Sequence, residues 1–277
     1  MHIARACTKE IGVSDLMDQR FAFLEKVIRS AGRLVKQGYD ARTANTHAMK
    51  GPQDFLTETD LASEAHIRSA IAEAFPDDSF FGEEGGGSVE GNVWVVDPID
   101  GTANFTRGVD HFCISIGFVA DGVPEMGAIY NPVTEAFYCA RRGQGATLNG
   151  RKLGVSNTAA FSAASIELGW SPRISNERYL HALSELLRIG SNVRRLGSGA
   201  MALAHVADGR SDAYVELHMN SWDCVPGLLI VSEAGGAVCP YLALGDLRAG
   251  GPVLAATPAL AEGISKAVGI PLRADLL

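Results

Sequence analysis

Asp97 and Asp100 close an apolar stretch, Val93-Trp-Val-Val-Asp97-Pro98-Ile99-Asp100-Gly101-Thr102, and no other feature constrains the fold as much. Four large apolar residues in a row read as a strand buried on both faces, which requires layers of structure above and below it. Carboxylates at the C-terminal end of such a strand fall where α/β sheets place their ligands. Pro98 predicts a stiff turn that presents both aspartates. Gly101 lets the backbone approach a ligand, and a short helical turn beginning there would aim amide N–H groups at an oxyanion such as phosphate. Taken alone, Asp-Pro-x-Asp-Gly is equally a good turn.

Three further acidic sites change that balance: Asp60 in Thr57-Glu-Thr-Asp, Glu83 and Glu84 in a glycine-rich loop, and Asp223 after Trp222. Each has a plain structural use, Asp60 and Asp223 as helix caps and the glutamates as solvated loop charges. Together they are acidic groups at the ends of elements. Two carboxylates about 4 Å apart repel by roughly 4 kcal/mol at an effective dielectric near 20, so convergence demands cations. The candidate ligands are all oxygens, which suits Mg²⁺ and not zinc, and the histidines form no H-x-x-x-H or Cys/His cluster.

The rest of the chain predicts a layered α/β fold. Helical stripes run over 15–37, opened by Ser14 or Asp15 and ended at Gly38, and from Thr59 or Asp60 to Pro76. Residues 82–91 read as a loop, and four strands follow between Val93 and Ala140. Beyond a crossing at 154–164, strands and helices alternate to the end. One domain over 1–277 is expected, with sub-halves of about 1–154 and 155–277 sharing one site.

Twenty-four basic against 32 acidic residues leave a net charge of -8, which disfavours direct nucleic-acid binding. No apolar run reaches the roughly 18–20 residues of a membrane span, and the N-terminus has no signal-peptide pattern. Cys7, Cys113, Cys139, Cys224 and Cys239 are odd in number and scattered, as a reducing compartment permits, so a cytoplasmic location is expected.

These residues resemble the inositol monophosphatases, Mg²⁺-dependent and lithium-sensitive phosphatases. The motifs that carry the resemblance are Gly82-Glu83-Glu84, Trp94 to Phe105, and Trp222-Asp223 with Glu233-Ala-Gly-Gly236. The resemblance implies an alternating α-β-α-β-α sandwich, a homodimer, and two or three Mg²⁺ ions per site. It implies Glu83, Asp97 and the carbonyl of Ile99 as ligands of one ion, and Asp97, Asp100 and Asp223 as ligands of another. Asp60 and Thr102 would activate the attacking water, with Glu83 near a third ion. The Gly101 and Thr102 amides would cradle phosphate. Gly197, Ser198, Gly199 and Glu216 would contact the polyol, while Lys50, Glu84 and His218 are possible participants. Departures fall on the polyol side: Gly199 stands where alanine is frequent, and 217–221 is unlike commoner members.

The implied reaction is hydrolysis of inositol monophosphate. Glu216 favours a polyol because a carboxylate accepts hydroxyl hydrogen bonds and repels a second phosphate. The alternatives are 3′-phosphoadenosine 5′-phosphate, histidinol phosphate or fructose 1,6-bisphosphate on the same machinery. Some bacterial relatives act with the transcription machinery, which makes a binding role a further alternative. Gly197-Ser-Gly-Ala-Met-Ala202 mimics a dinucleotide fingerprint, but Arg194 and Arg195 in the preceding strand do not suit a central parallel strand.

Overall fold

The computed structural model describes residues 13–43 and 47–272. The side chain of Ser14, Cys7 and residues 44–46 of the polar stretch lie outside the described residues. In chain order the elements are α1 (Val13–Ala41), β1 (Ala48–Gly51), β2 (Asp54–Leu56), α2 (Glu58–Ala74), β3 (Ser79–Gly82), β4 (Gly86–Gly87), β5 (Val93–Asp100) and α3 (Thr102–Arg107). Next come β6 (Cys113–Ala120), β7 (Val123–Asn131), β8 (Ala136–Arg141), β9 (Ala146–Leu148), β10 (Arg151–Lys152), β11 (Ser165–Leu168), α4 (Asn176–Arg188) and β12 (Asn192–Arg194). The chain closes with α5 (Gly199–Ala207), β13 (Ala213–Met219), α6 (Ser221–Glu233), β14 (Ala237–Val238), α7 (Tyr241–Leu244), β15 (Gly251–Ala256) and α8 (Pro258–Val268).

An eight-stranded sheet has the order β10-β9-β8-β7-β6-β5-β3-β4, and a five-stranded sheet the order β12-β11-β13-β15-β14. Helices α1 and α2 cover the outer face of the larger sheet, α5 and α6 lie between the sheets, and α4 and α8 cover the smaller sheet. The result is an α-β-α-β-α sandwich. Strand periodicity sorts the side chains: Trp94 and Val96 enter the core under α1 and α2, while Val93 and Val95 enter the core shared with α5 and α6. The two sheets divide between Lys152 and Ser165, close to the crossing expected at 154–164.

Several boundaries differ from expectation for local reasons. Gly38 does not end α1; α2 crosses there, with Thr59 packed where a side chain at 38 would stand. The cap of α2 is Thr57, not Thr59 or Asp60; Asp60 is the third helical residue and completes a capping box. Residues 82–91 are not wholly loop, since Gly86–Gly87 pair with Phe81 and Gly82. Arg194 sits on an edge strand, consistent with the case against a dinucleotide fold.

Candidate active site

The turn expected at Pro98 is instead a bulge inside β5. Asp97 pairs with Ser115 and Asp100 with Cys113, so β5 carries one extra residue over that span. In a regular strand, residues three apart face opposite sides. The inserted residue cancels that odd spacing, and proline, which cannot donate to the ladder, is tolerated at such a bulge. Both aspartates therefore reach the same pocket.

Asp223 arrives from the other half, in the first turn of α6. Helix α6 contains Pro226, which leaves the Trp222 carbonyl without its helical donor. The Ser115 hydroxyl of β6 fills that vacancy at 2.8 Å and fastens the α6 start to the strand beside β5. Oxygens of Asp97, Asp100 and Asp223 all lie within 4.8 Å of one another. Burial first, then the charges of Glu83, Asp223 and Asp100, push Asp97 well above the usual carboxylate range. Asp223 is raised likewise, by burial and then Asp100. Asp100 is held to about 6, because burial outweighs the bonds it accepts from Ser198 Oγ (2.6 Å) and the Ala200 amide (2.7 Å). An all-oxygen donor set that crowds one buried and two half-buried carboxyls fits a hard divalent cation, which would offset their mutual repulsion.

Thr102 links the other acidic site to this cluster. Its hydroxyl is 3.1 Å from Asp60 Oδ1 and 2.9 Å from the Ile99 carbonyl, and its single proton serves one at a time. Asp60 is fully buried, accepts from the Thr57 amide at 2.9 Å and from the Thr57 hydroxyl, and is raised to about 6, chiefly by burial. Gly101 adopts φ 95° at the head of α3, which a side chain would strain, and the first helical amides there lack intrahelical acceptors.

Glu83 stands outside the tight triad and pairs with Lys50 at 2.9 Å. Lys50 also meets Glu84 at 3.0 Å and Asp54 at 3.5 Å. Burial pulls the Lys50 ammonium down, but Glu83 and Glu84 outweigh it and the net shift is upward. Glu84 is raised to about 7 by burial and then by Glu83. A residue unmarked in the sequence reading supports this loop: buried Glu64 accepts the amides of Glu84 and Gly85, each at 2.8 Å. Its spacing of four from Asp60, which puts both on one face of α2, was the available signal.

On the polyol side, Asp100, Gly197, Ser198, Gly199, Glu216 and Asp223 line a pocket of about 160 Å³. Glu216 is buried, accepts from the Tyr214 hydroxyl, and is raised to about 7, mainly by burial. The departure at Gly199 has a packing reason, since Met219 and the Tyr214 hydroxyl occupy the space of a side chain there. Arg195 and Arg173 draw Glu216 back toward its charged form, so repulsion of a second phosphate by Glu216 does not act unopposed. His218 is not brought to the pocket; its Nε2 meets the Ala249 carbonyl at 2.9 Å.

A profile of the inositol monophosphatase family matches residues 16–270. The Nus factor SuhB of Xylella fastidiosa is 38% identical over 221 residues, covering 78% of this chain and 80% of that protein. The extragenic suppressor protein suhB of Bartonella henselae superposes with a TM-score of 0.82 at 29% identity, covering 90% of this chain and 98% of that one. SaIMPase-II, solved with inositol monophosphate bound, superposes with a TM-score of 0.75 at 29% identity over 90% of this chain and 92% of that one. It has also been solved with 2′AMP bound.

Proposed function

The chain belongs to the inositol monophosphatase family, and on that premise we propose that it is a Mg²⁺-dependent phosphomonoesterase that hydrolyses inositol monophosphate to inositol and phosphate. One observation carries the proposal: three carboxyls, Asp97 buried and Asp100 and Asp223 half-buried, converge from two halves of the chain within 4.8 Å, beside a threonine hydroxyl bonded to a fourth. The binding of inositol monophosphate by SaIMPase-II supports the choice of substrate. That the converging groups come from both sides of residue 154 supports reading 1–277 as one unit with one site.

Asp97, Asp100 and Asp223 would hold the cations, with the Ile99 carbonyl and Glu83 as further ligands and two or three ions in all. When bound, Mg²⁺ supplies a lowered water pKa, charge neutralisation at the phosphoryl oxygens and stabilisation of the leaving alkoxide. Thr102 donates to Asp60, which leaves its oxygen lone pair to receive a hydrogen bond from the attacking water and to orient it. Asp60, titrating near 6, takes up charge or proton close to neutrality, as an effective general base should. The amides of Gly101 and Thr102 hold phosphoryl oxygens, and Glu216 accepts a hydroxyl of the leaving polyol. The Lys50 ammonium holds Glu83 and Glu84 apart from their own repulsion.

Hydrolysis of inositol 1-phosphate should require Mg²⁺ and be inhibited by lithium. Full activity after exhaustive chelation would overturn the proposal. A homodimer is proposed on the family resemblance, and light scattering checks it. Free thiols at Cys113, Cys139, Cys224 and Cys239 support a cytoplasmic location. Among the described residues no helix is long and apolar enough to cross a membrane.

The curated relatives named Nus factor SuhB favour a second reading, a binding role with the transcription machinery. Capture of RNA polymerase by the catalytically disabled Asp97→Asn protein would support it, and no capture by either form would remove it.

A further inference from the structure

The β3–β4 hairpin, whose turn carries Glu83 and Glu84, is gripped from both faces of the sheet by guanidinium groups. Phe80 and Phe81 are consecutive in β3, so they point to opposite faces and enter different cores. Arg68 of α2 stands 4.0 Å from the Phe80 ring centre and donates to the Gly86 carbonyl at 3.1 Å. On the other face Arg248 stands 5.5 Å from the Phe81 ring centre and donates to the next carbonyl, that of Gly87, also at 3.1 Å. Arg68 belongs to the same half of the chain as the hairpin and pairs with Glu64 at 2.8 Å. Arg248 comes from the other half, in the turn between α7 and β15. That turn is fastened by three side chains. Asp246 accepts the Arg248 and Ala249 amides at 2.7 and 2.6 Å, and Ser221 at the head of α6 donates to the Leu247 carbonyl at 2.6 Å. His218 donates from Nε2 to the Ala249 carbonyl at 2.9 Å, since a carbonyl can only accept.

Ser221 stands two residues before Asp223, so the turn that fixes Arg248 is itself fixed to the helix head that delivers the carboxyl of the second half. Arg248 connects that head to Gly87, four residues beyond Glu83. We propose that Arg248, held by His218, is a positioning residue that sets the Glu83 turn of one half against the Asp223 helix of the other. Arg248 touches neither substrate nor metal. The proposal rests on the reading of Glu83 as a ligand of Mg²⁺ and deepens it. A turn already in place loses little conformational freedom when the ion binds, whereas a freed one must be ordered at the expense of affinity. Charge alone predicts the opposite sign, because deleting a cation beside an acidic site favours Mg²⁺.

Calorimetric titration of the full chain with Mg²⁺, paired with amide hydrogen exchange over residues 83–87 of the metal-free protein, tests this. Arg248→Ala should weaken Mg²⁺ binding about five- to tenfold and speed exchange over 83–87. In hydrolysis of inositol 1-phosphate the loss should appear in the Mg²⁺ concentration needed for half-maximal rate, and not in kcat at saturating Mg²⁺. Arg248→Lys keeps the charge and a donor but has no planar face for Phe81, and should recover part of the affinity. His218→Ala should weaken Mg²⁺ binding about two- to threefold, and should add little to Arg248→Ala, because both act through one contact. Mg²⁺ affinity and exchange that Arg248→Ala leaves unchanged overturn the proposal, even where the melting temperature falls, since that is a merely structural role. Tighter Mg²⁺ binding in Arg248→Ala means a field effect and overturns it, as does full additivity of the two alanine variants. Where Arg248→Ala fails to fold, Arg248→Lys and His218→Ala decide by the same two readouts. A wild-type protein that binds no Mg²⁺ overturns the metal reading and the proposal together, whereas equal binding by wild type and variant overturns the proposal alone.

Discussion

The phosphate end of the site and its leaving-group mouth are built on opposite principles. At the phosphate end, Asp97, Asp100 and Asp223 are held by a bulged strand, a helix start and bonds from Ser198 and Ala200, and their charges repel one another. At the mouth, Arg107, Arg173 and Arg195 are exposed and carry the opposite sign. A crowded cluster tolerates few substitutions, because each group bears on the ionisation of the others. An exposed rim of arginines can be changed one residue at a time. Chemistry is thereby separated from selectivity, with Glu216 standing between them, buried like Asp97 of the first region yet facing the arginines of the second.

That separation can be broken most severely at its centre. Asp97→Asn should lower kcat/KM by about 10³-fold or more and weaken Mg²⁺ binding in calorimetry, since it removes a shared ligand and leaves Asp100 and Asp223 to repel. Mg²⁺ affinity equal to the wild type would show that the cluster is not the metal site. Thr102→Ala should lower kcat on the order of 10²-fold while metal affinity stays close to wild type. Loss of metal affinity equal to that of Asp97→Asn would merge the two roles. Glu216→Gln should reduce kcat/KM for inositol 1-phosphate by about ten- to a hundredfold more than for p-nitrophenyl phosphate, as charge-assisted bonding of roughly 1.5–3 kcal/mol is lost. Equal losses on both esters would move Glu216 from selectivity to the metal end.

The last effect is on stability. Asp60 and Glu216 are raised by burial to about 6 and about 7 in the folded chain, above their values of 3.8 and 4.5. Groups raised in this way contribute stability that is complete below the unfolded pKa and is lost as pH rises through the folded one, on the order of 3 kcal/mol each. The chelated protein should therefore melt at lower temperature at pH 8 than at pH 5, and Mg²⁺ should restore more at pH 8. Asp60→Asn should flatten the decline between pH 4 and 7. A chelated protein with the same melting temperature across that range would remove the burial argument.

The two regions also differed in how far they could be read in the sequence. Asp97, Asp100, Asp223, Asp60 and Thr102 were legible because each sits in a short run whose residues are neighbours in the chain. Glu64 was not, because the amides it holds are twenty and more residues away. His218 was legible only as a nearby polar residue, and a contact with Ala249 across thirty-one positions turned it elsewhere. Arg173 gave no local signal, since an exposed arginine looks the same wherever its cavity lies.

By itself the sequence determined the kind of elements, the layered order of helices and strands, and the oxygen-only chemistry of the acidic groups, all of which follow from periodicity and side-chain type. Tertiary structure decided three other things. It replaced a turn at Pro98 with a bulge, because register belongs to the pairing of β5 with β6 and not to β5 alone. It ran α1 through Gly38, because a crossing helix needed the space. And it set Arg173 and Arg195 opposite Glu216, because charge acts through distance in space, which the order of residues along a chain does not contain.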